Sequence, residues 1–166
     1  MILKETSTLA ASGYYFIPVS EIKTSLIIKI SGPYGMTFEP EQYVFDVQDD
    51  KTIKDYCNKD IGFKFVGFEI DGQISTFGVN EGPKGIKLGI FNSEGKKLET
   101  TVTTEGGLFK FKPLYPDKKN YVIKPLEKEY MFDEKHKQFS FNININEKNS
   151  FKRTLIIKGY ELKGTI

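Results

Sequence analysis

The sequence is poor in the side chains on which most enzyme chemistry depends. It holds one cysteine, Cys57, one histidine, His136, and no tryptophan. A single cysteine rules out an internal disulfide framework; Cys57 is read as a small buried or unpaired thiol, a bond to a cysteine upstream of Met1 being the alternative. With one histidine and one cysteine far apart, the chain cannot assemble a zinc site of its own, and a Cys57–His136 dyad would need two distant segments to converge. An excess of one charge is missing too. Lys+Arg is 24 against Asp+Glu 22, a net charge of +2, and basic runs stop at the pairs Lys96-Lys97, Lys118-Lys119 and Lys152-Arg153. Such a balance gives no field able to hold nucleic acid. There is no Asn-x-Ser/Thr acceptor, no apolar signal core behind Met1, and no apolar run as long as a membrane helix. The segment is therefore expected to be soluble, whatever tether lies elsewhere.

What is abundant is aromatic residues and alternation. Phe (14) and Tyr (9) are frequent, and rings on a pleated sheet bury large apolar areas. Apolar residues seldom recur at helical spacing, the short stretch from Asp50 to Tyr56 excepted, whereas spacing two recurs throughout. Strands are predicted over 3–8, 14–19, 25–30, 42–47, 62–74, 85–91, 97–103, 108–114, 121–126, 138–145 and 153–166. In Phe139-Ser140-Phe141-Asn142-Ile143-Asn144-Ile145 one face is apolar and the other polar, as in a sheet with a core on one side and water on the other. Glu81-Gly82-Pro83, Ser93-Glu94-Gly95, Glu105-Gly106-Gly107 and Tyr115-Pro116-Asp117 supply turns between strands.

A repeat organises these strands. Gly13-Tyr14-Tyr15-Phe16 matches Gly107-Leu108-Phe109-Lys110, Phe38-Glu39 matches Phe132-Asp133, and the stretch from Phe63 to Ile74 matches that from Leu155 to Ile166. The offsets agree within a loop's latitude: 107 − 13 = 94, 132 − 38 = 94 and 159 − 67 = 92. That period suits a seven-stranded sandwich. Phe63 and Phe65 share one strand face, but Phe68, Ile70 and Ile74 lie on the opposite parity; Leu155 and Ile157 are likewise followed by Tyr160, Leu162 and Ile166. A strand cannot change its buried face without a slip or bend, and Gly67 and Gly159 stand where the parity flips. The fold class is therefore all-β, a tandem of immunoglobulin-like (prealbumin-like) antiparallel β-sandwiches. Residues 1–66 form the C-terminal part of a first module without its opening two strands, 67–158 a complete second module, and 159–166 the first strand of a third. No flexible linker separates them. A segment so divided is expected to belong to a longer chain, or to carry a misplaced start, and to be poorly soluble alone.

No catalytic, cofactor-binding or metal site is predicted, and no cofactor. His136 lies among lysines and reads as solvated, since catalysis would need an oriented partner. Asp49-Asp50 with Asp55 lacks the alternating acidic pattern and glycine turn of a calcium loop. Gly82-Pro83-Lys84-Gly85 and Glu105-Gly106-Gly107 read as hairpin turns, not phosphate loops. Tyr14, Tyr15, Phe16, Phe109 and Phe111 lack the basic surface of a base-stacking platform and read as core. Lys64, Lys87, Asn142 and Asn144 lie on predicted strands, where a Lys–Asn isopeptide crosslink is the minor alternative.

Two resemblances follow from these motifs. Thr101-Val102-Thr103-Thr104-Glu105-Gly106-Gly107-Leu108-Phe109-Lys110-Phe111, with Leu114 and Tyr121-Val122-Ile123, resembles the carboxypeptidase-regulatory or collagen-adhesin B-type module, with its carbohydrate-binding-like fold. Pro116-Asp117-Lys118-Lys119-Asn120 departs from the Pro-Gly usual in that module. Gly13-Tyr14-Tyr15-Phe16-Ile17-Pro18, then Ile28 to Pro40, Cys57, and Phe63-Lys64-Phe65-Val66-Gly67-Phe68 are similar in order and spacing to the N-terminal region of the nodal modulator family. This resemblance implies lumenal modules of a long array in the endoplasmic reticulum, anchored to its membrane by a segment outside this chain. It implies a nicalin-like subunit, a small multi-pass subunit and the translocon as protein partners in multi-pass membrane protein biogenesis, no nucleic acid, and no catalytic residues. The alternatives are a secreted or surface adhesion module binding carbohydrate or matrix, and a non-catalytic appendage of a peptidase.

Overall fold

Apolar side chains at every second position draw the chain into strands. In the computed structural model the described residues are 13–18, 25–46, 61–117 and 119–160. Among them run β1 (Ser25–Lys29), β2 (Met36–Glu39), β3 (Gln42–Asp46) and β4 (Lys64–Thr76). Then follow β5 (Lys87–Asn92), β6 (Lys97–Val102), β7 (Leu108–Leu114) and β8 (Asn120–Pro125). Last come β9 (Tyr130–Phe132), β10 (Phe139–Asn142) and β11 (Asn149–Tyr160). Contacts divide the chain into two compact units, Met1–Lys29 with Gln42–Gly62, and Ile30–Glu41 with Phe63–Ile166.

In the first unit β1 and β3 pair antiparallel, Leu26 opposite Phe45 and Ile27 opposite Val44. Alternation puts Leu26, Ile28, Tyr43 and Phe45 on the covered face, where Tyr43 and Phe45 stack at 6.0 Å, and leaves Ile27 and Val44 exposed. The Tyr15 hydroxyl donates to the Ile61 carbonyl (2.9 Å) and Tyr43 to that of Gly62 (2.9 Å).

The second unit is a sandwich. One sheet runs β10-β8-β5-β6, all antiparallel. The other runs β2-β4-β11-β9, with β7 on β4. Because β7 and β11 both pair with residues 70–73 of β4, they lie on its opposite edges. β4 and β11 are parallel, Asn149 opposite Ile70 through to Ile157 opposite Thr76. Between the sheets Ile70, Ile74, Leu88, Ile90, Phe109, Phe111, Tyr121, Ile123, Phe141, Leu155 and Ile157 form one core. Polar interior groups are satisfied: Thr103 Oγ1 accepts from the Ile86 amide (2.9 Å) and donates to the Pro83 carbonyl (2.8 Å).

Several expectations are corrected. Residues 13–18 form no strand, so no sheet face buries Tyr14 and Phe16, which are exposed instead of lying in a core. β2 and β9, at three or four residues, are too short to show alternation and were not expected. β10 stops at Asn142 and not at residue 145, because Asn149 pinches the following loop: its Oδ1 accepts from the Asn144 amide (2.8 Å) and its Nδ2 donates to the Asn144 carbonyl (3.0 Å). β11 begins at Asn149, ahead of the expected 153. Asn92-Ser93-Glu94-Gly95 is a hairpin turn, the Asn92 side chain accepting from the amides of Glu94 (3.1 Å) and Lys96 (2.9 Å). The segments Gly82–Gly85 and Glu105–Gly107 are not hairpins: each carries the chain from one sheet to the other. They brace each other there, the Gly82 amide donating to the Gly106 carbonyl (3.2 Å). The strand predicted over 3–8 lies outside the described residues.

Core and surface should separate cleanly in unfolding experiments. Ile123 is 1% exposed and Phe77 72%. Ile123→Ala is expected to cost about 2–5 kcal/mol, and Phe77→Ala to stay within about 0.5 kcal/mol, as read from urea midpoints; equal costs would contradict this packing.

Candidate functional site

Among the described residues no group of three or more His, Cys, Asp or Glu side chains is placed to hold a metal ion. Asp49, Asp50, Asp55 and Cys57 lie outside them. His136, expected to be solvated, has an oriented partner: its Nδ1 is 2.7 Å from Asp133 Oδ2. A single 3-10 turn, Glu134–His136, curls the ring back over Asp133, whose carboxylate also caps that turn at the Lys135 amide (3.3 Å). Lys158 Nζ reaches Asp133 Oδ1 at 2.6 Å. The Lys158 hydrogen bond, aided by that of His136, holds the Asp133 carboxyl down at about 2. The carboxylate thus ties the turn to β11. Among the described residues no hydroxyl or thiol nucleophile contacts the ring, and the cluster reads as a staple.

Other polar groups are likewise committed. A shallow cleft of about 260 Å³ is lined by Tyr34, Glu69, Asp71, Lys148 and Asn149. Glu69 already binds Lys110 Nζ (2.6 Å), Asp71 accepts from the Ser150 hydroxyl (2.6 Å), and Asn149 closes its own loop. Tyr121, 4% exposed, donates to Asp117 Oδ1 at 2.6 Å. Burial, then that hydrogen bond, pushes the Tyr121 hydroxyl up to about 12. Phe109 and Phe111 are core, in edge-to-face contact at 5.8 Å. The isopeptide alternative finds no support, since Lys87 is exposed beside Glu127 (3.3 Å) and Asn142 is exposed on β10.

The distinctive geometry is at the parity flips. β4 passes through Gly67 unbroken. Against β2, Phe65 pairs with Phe38 and Gly67 with Thr37, so Val66 is an extra residue, a β-bulge. The bulge absorbs the change of parity. Phe38 and Met36 share one face of β2, so their partners Phe65 and Phe68 share one face of β4. There Phe65 joins a ring cluster with Phe38 (5.7 Å), Phe68 (5.5 Å) and Tyr115 (5.7 Å), and Phe68, Ile70 and Ile74 are buried. The end of β7 lies on Gly67. A Cβ there would stand 2.5 Å from the Leu114 carbonyl oxygen, and φ is +149°, so only glycine fits. β11 repeats the device. Against β9, Ile157 pairs with Phe132 and Gly159 with Met131, leaving Lys158 as the extra residue, and Tyr160 pairs with Tyr130. Neither flip ends a strand: the extra residue keeps the apolar side chains before and after it on one face, Phe65 with Phe68 and Ile157 with Tyr160.

Comparison with known proteins matches two family domains along the sequence. Residues 65–158 match the description "BOS complex subunit NOMO1-like, second beta sandwich domain", and residues 1–65 match "BOS complex subunit NOMO1-like, first beta sandwich domain". The chain is 30% identical to human BOS complex subunit NOMO3 over 98% of its length and 13% of that protein's, and 29% identical to mouse BOS complex subunit NOMO1 over the same shares. Nicotinic receptor-associated protein 4 of Caenorhabditis elegans is 30% identical over 61% of the chain and 8% of its own length. The chain thus spans about an eighth of the relatives it matches along most of its length. A solved structure, the Bacillus anthracis TIE protein, aligns with 82% of this chain and 25% of its own at TM-score 0.40 and 21% identity, a likeness too remote to argue from.

Two pH effects follow from the site. Asp133 sits near 2, below the ordinary carboxylate value, so the stability it contributes is complete above about pH 4 and is lost as pH falls through 2. Asp133→Asn is expected to flatten the acid limb of a plot of melting temperature against pH; an unchanged limb would refute the staple. Tyr121 sits near 12, above its ordinary value, so its contribution is present below about pH 10 and disappears as pH rises through 12. Tyr121→Phe should lower stability at neutral pH and remove the alkaline loss attached to the slowest-titrating tyrosinate absorbance; an alkaline limb identical to that of the unsubstituted chain would refute it.

Proposed function

Because the chain belongs to the NOMO1-like family of BOS complex subunits, we propose that it is part of a non-enzymatic scaffold or spacer in a membrane protein complex. Its place is the lumen of the endoplasmic reticulum, on a protein anchored to that membrane by a segment outside this chain. Its partners are a nicalin-like subunit, a small multi-pass subunit and the translocon that inserts multi-pass proteins. It works by presenting sandwich surfaces in fixed order, without acting on a substrate.

One observation carries this reading: β4 runs unbroken through the boundary between the two matched domains, near Phe65, with no linker. β4 is thirteen residues of hydrogen-bonded strand, pinned at Gly67 by the Leu114 backbone, so this stretch of chain is stiff. Stiffness is what a spacer requires and what hinged enzymes avoid. The commitment of His136 to Asp133, and of Glu69, Asp71 and Asn149 to neighbours, also supports a binding role over a chemical one. Among the described residues no helix is long and apolar enough to cross a membrane.

Affinity purification of the tagged full-length protein from detergent-solubilised membranes tests the assignment. A nicalin-like and a small multi-pass subunit should be recovered in fixed ratio, and these residues should resist protease in sealed vesicles until detergent is added. Recovery without either subunit, or cleavage in sealed vesicles, would exclude it.

A further inference from the structure

The two bulges are alike in register but not in cover. At the first, Thr37 faces Gly67 and Met36 faces Phe68; at the second, Met131 faces Gly159 and Tyr130 faces Tyr160. Phe68 is 2% exposed, under the end of β7, and the Leu114 carbonyl rests where a Cβ of residue 67 would stand. Tyr160, its counterpart, is 56% exposed and Met131 60%. Among the described residues nothing lies within 4 Å of the place a Cβ of residue 159 would take, and its φ is outside the left-handed region. Gly159 therefore has no reason within this structure to be glycine. Gly67 has one, and it is the backbone of the sandwich that β4 goes on to build.

We infer that Gly159, Tyr160, Tyr130 and Met131 form the seat for the sandwich that follows along the chain, whose own counterpart of β7 ends against Gly159. Three further observations commit the surface to that occupant. The sequence Phe68-Glu69-Ile70-Asp71-Gly72-Gln73-Ile74, whose Ile70 and Ile74 are fully buried, is matched by Tyr160-Glu161-Leu162-Lys163-Gly164-Thr165-Ile166. The seat is continuous with β11, as the covered joint is continuous with β4. Relatives extend far beyond the 13% of their length matched here, so they have polypeptide to supply the cover. An unrelated protein docking on the tyrosines would need their rings but not a glycine. A backbone carbonyl pressed onto the bulge needs both. The seat shares with the proposed function only the tandem arrangement, not the identity of the complex.

Hydroxyl-radical footprinting of the purified full-length protein, free of other subunits, tests the seat. Met131 and Tyr160 should label far more slowly than Phe77, which is 72% exposed and serves as the internal reference. In Gly159→Val, whose side chain occupies the place of the seated carbonyl, labelling of both should rise severalfold while Phe77 is unchanged. Gly159→Ala repeats the test with a single methyl, and low labelling of buried Phe111 and Tyr121 verifies that either variant remains folded. Labelling of Met131 and Tyr160 at the Phe77 rate in the unsubstituted protein overturns the inference. So does protection that survives both substitutions, because the cover then does not rest on Gly159. Failure to recover a nicalin-like subunit leaves this result untouched, and loss of the seat leaves the complex untouched.

Discussion

A β-strand alternates, and β4 must keep its apolar side chains on one face although their parity in the sequence changes partway along it. Phe65 packs with Phe38, Phe68 and Tyr115, while Ile70 and Ile74 belong to the core between the sheets. A regular strand alternates strictly, so these demands conflict by one residue. The conflict is resolved at Val66 and Gly67, where one extra residue brings Phe65 and Phe68 to the same face and the bare glycine lets the Leu114 backbone close upon it. The rest of the sandwich hangs from this point. β4 is the common neighbour of β2, β7 and β11, and a slip at the bulge would present Ile70 and Ile74 to the wrong side. Any side chain at position 67 would have to push the end of β7 away, at the expense of the pairing of Phe68 with Leu114.

Much of this was legible in the residues. The inward pairs Phe109 and Phe111, Tyr121 and Ile123, and Leu155 and Ile157 declare themselves by spacing, and all are core. The parity change at Gly67 and Gly159 was visible because two apolar residues of one parity were followed by several of the other. Alternation does not say how the change is made, and a bulge within a continuous strand costs less pairing than ending one strand and starting another. What escaped is what depends on distant partners. β2 is a strand because β4 offers it hydrogen bonds, not because Met-Thr-Phe-Glu insists on one. Tyr14 and Phe16 alternate like core residues but lie in a segment that forms no strand, and both are exposed. The glycine-rich turns looked like hairpins because local sequence cannot tell a return within a sheet from a crossing between sheets. Asp133 gathers Lys158 from a strand twenty-five residues on, a pairing that no spacing rule reveals.

The polar side chains are spent locally. Glu99 accepts the Lys112 amide (2.9 Å), a backbone donor that would otherwise be open to a neighbouring molecule. Ser150 and Asp71 link the parallel strands, and Thr103 satisfies two backbone groups where the chain crosses between sheets. Exposed ion pairs such as Lys84 with Glu105 contribute about 0–1 kcal/mol each and add little to the core.

The parallel pairing of β4 with β11 has a mechanical consequence. Tension along the chain would pull β4 by its start and β11 by its finish. Because the two strands run side by side in the same direction, that load slides one past the other and strains the seven rungs from Ile70–Asn149 to Thr76–Ile157 together. An antiparallel pair pulled from adjacent ends opens like a zipper, one hydrogen bond at a time. The sandwich is therefore built to carry axial force in shear, with its strongest resistance along the line on which the chain enters and leaves.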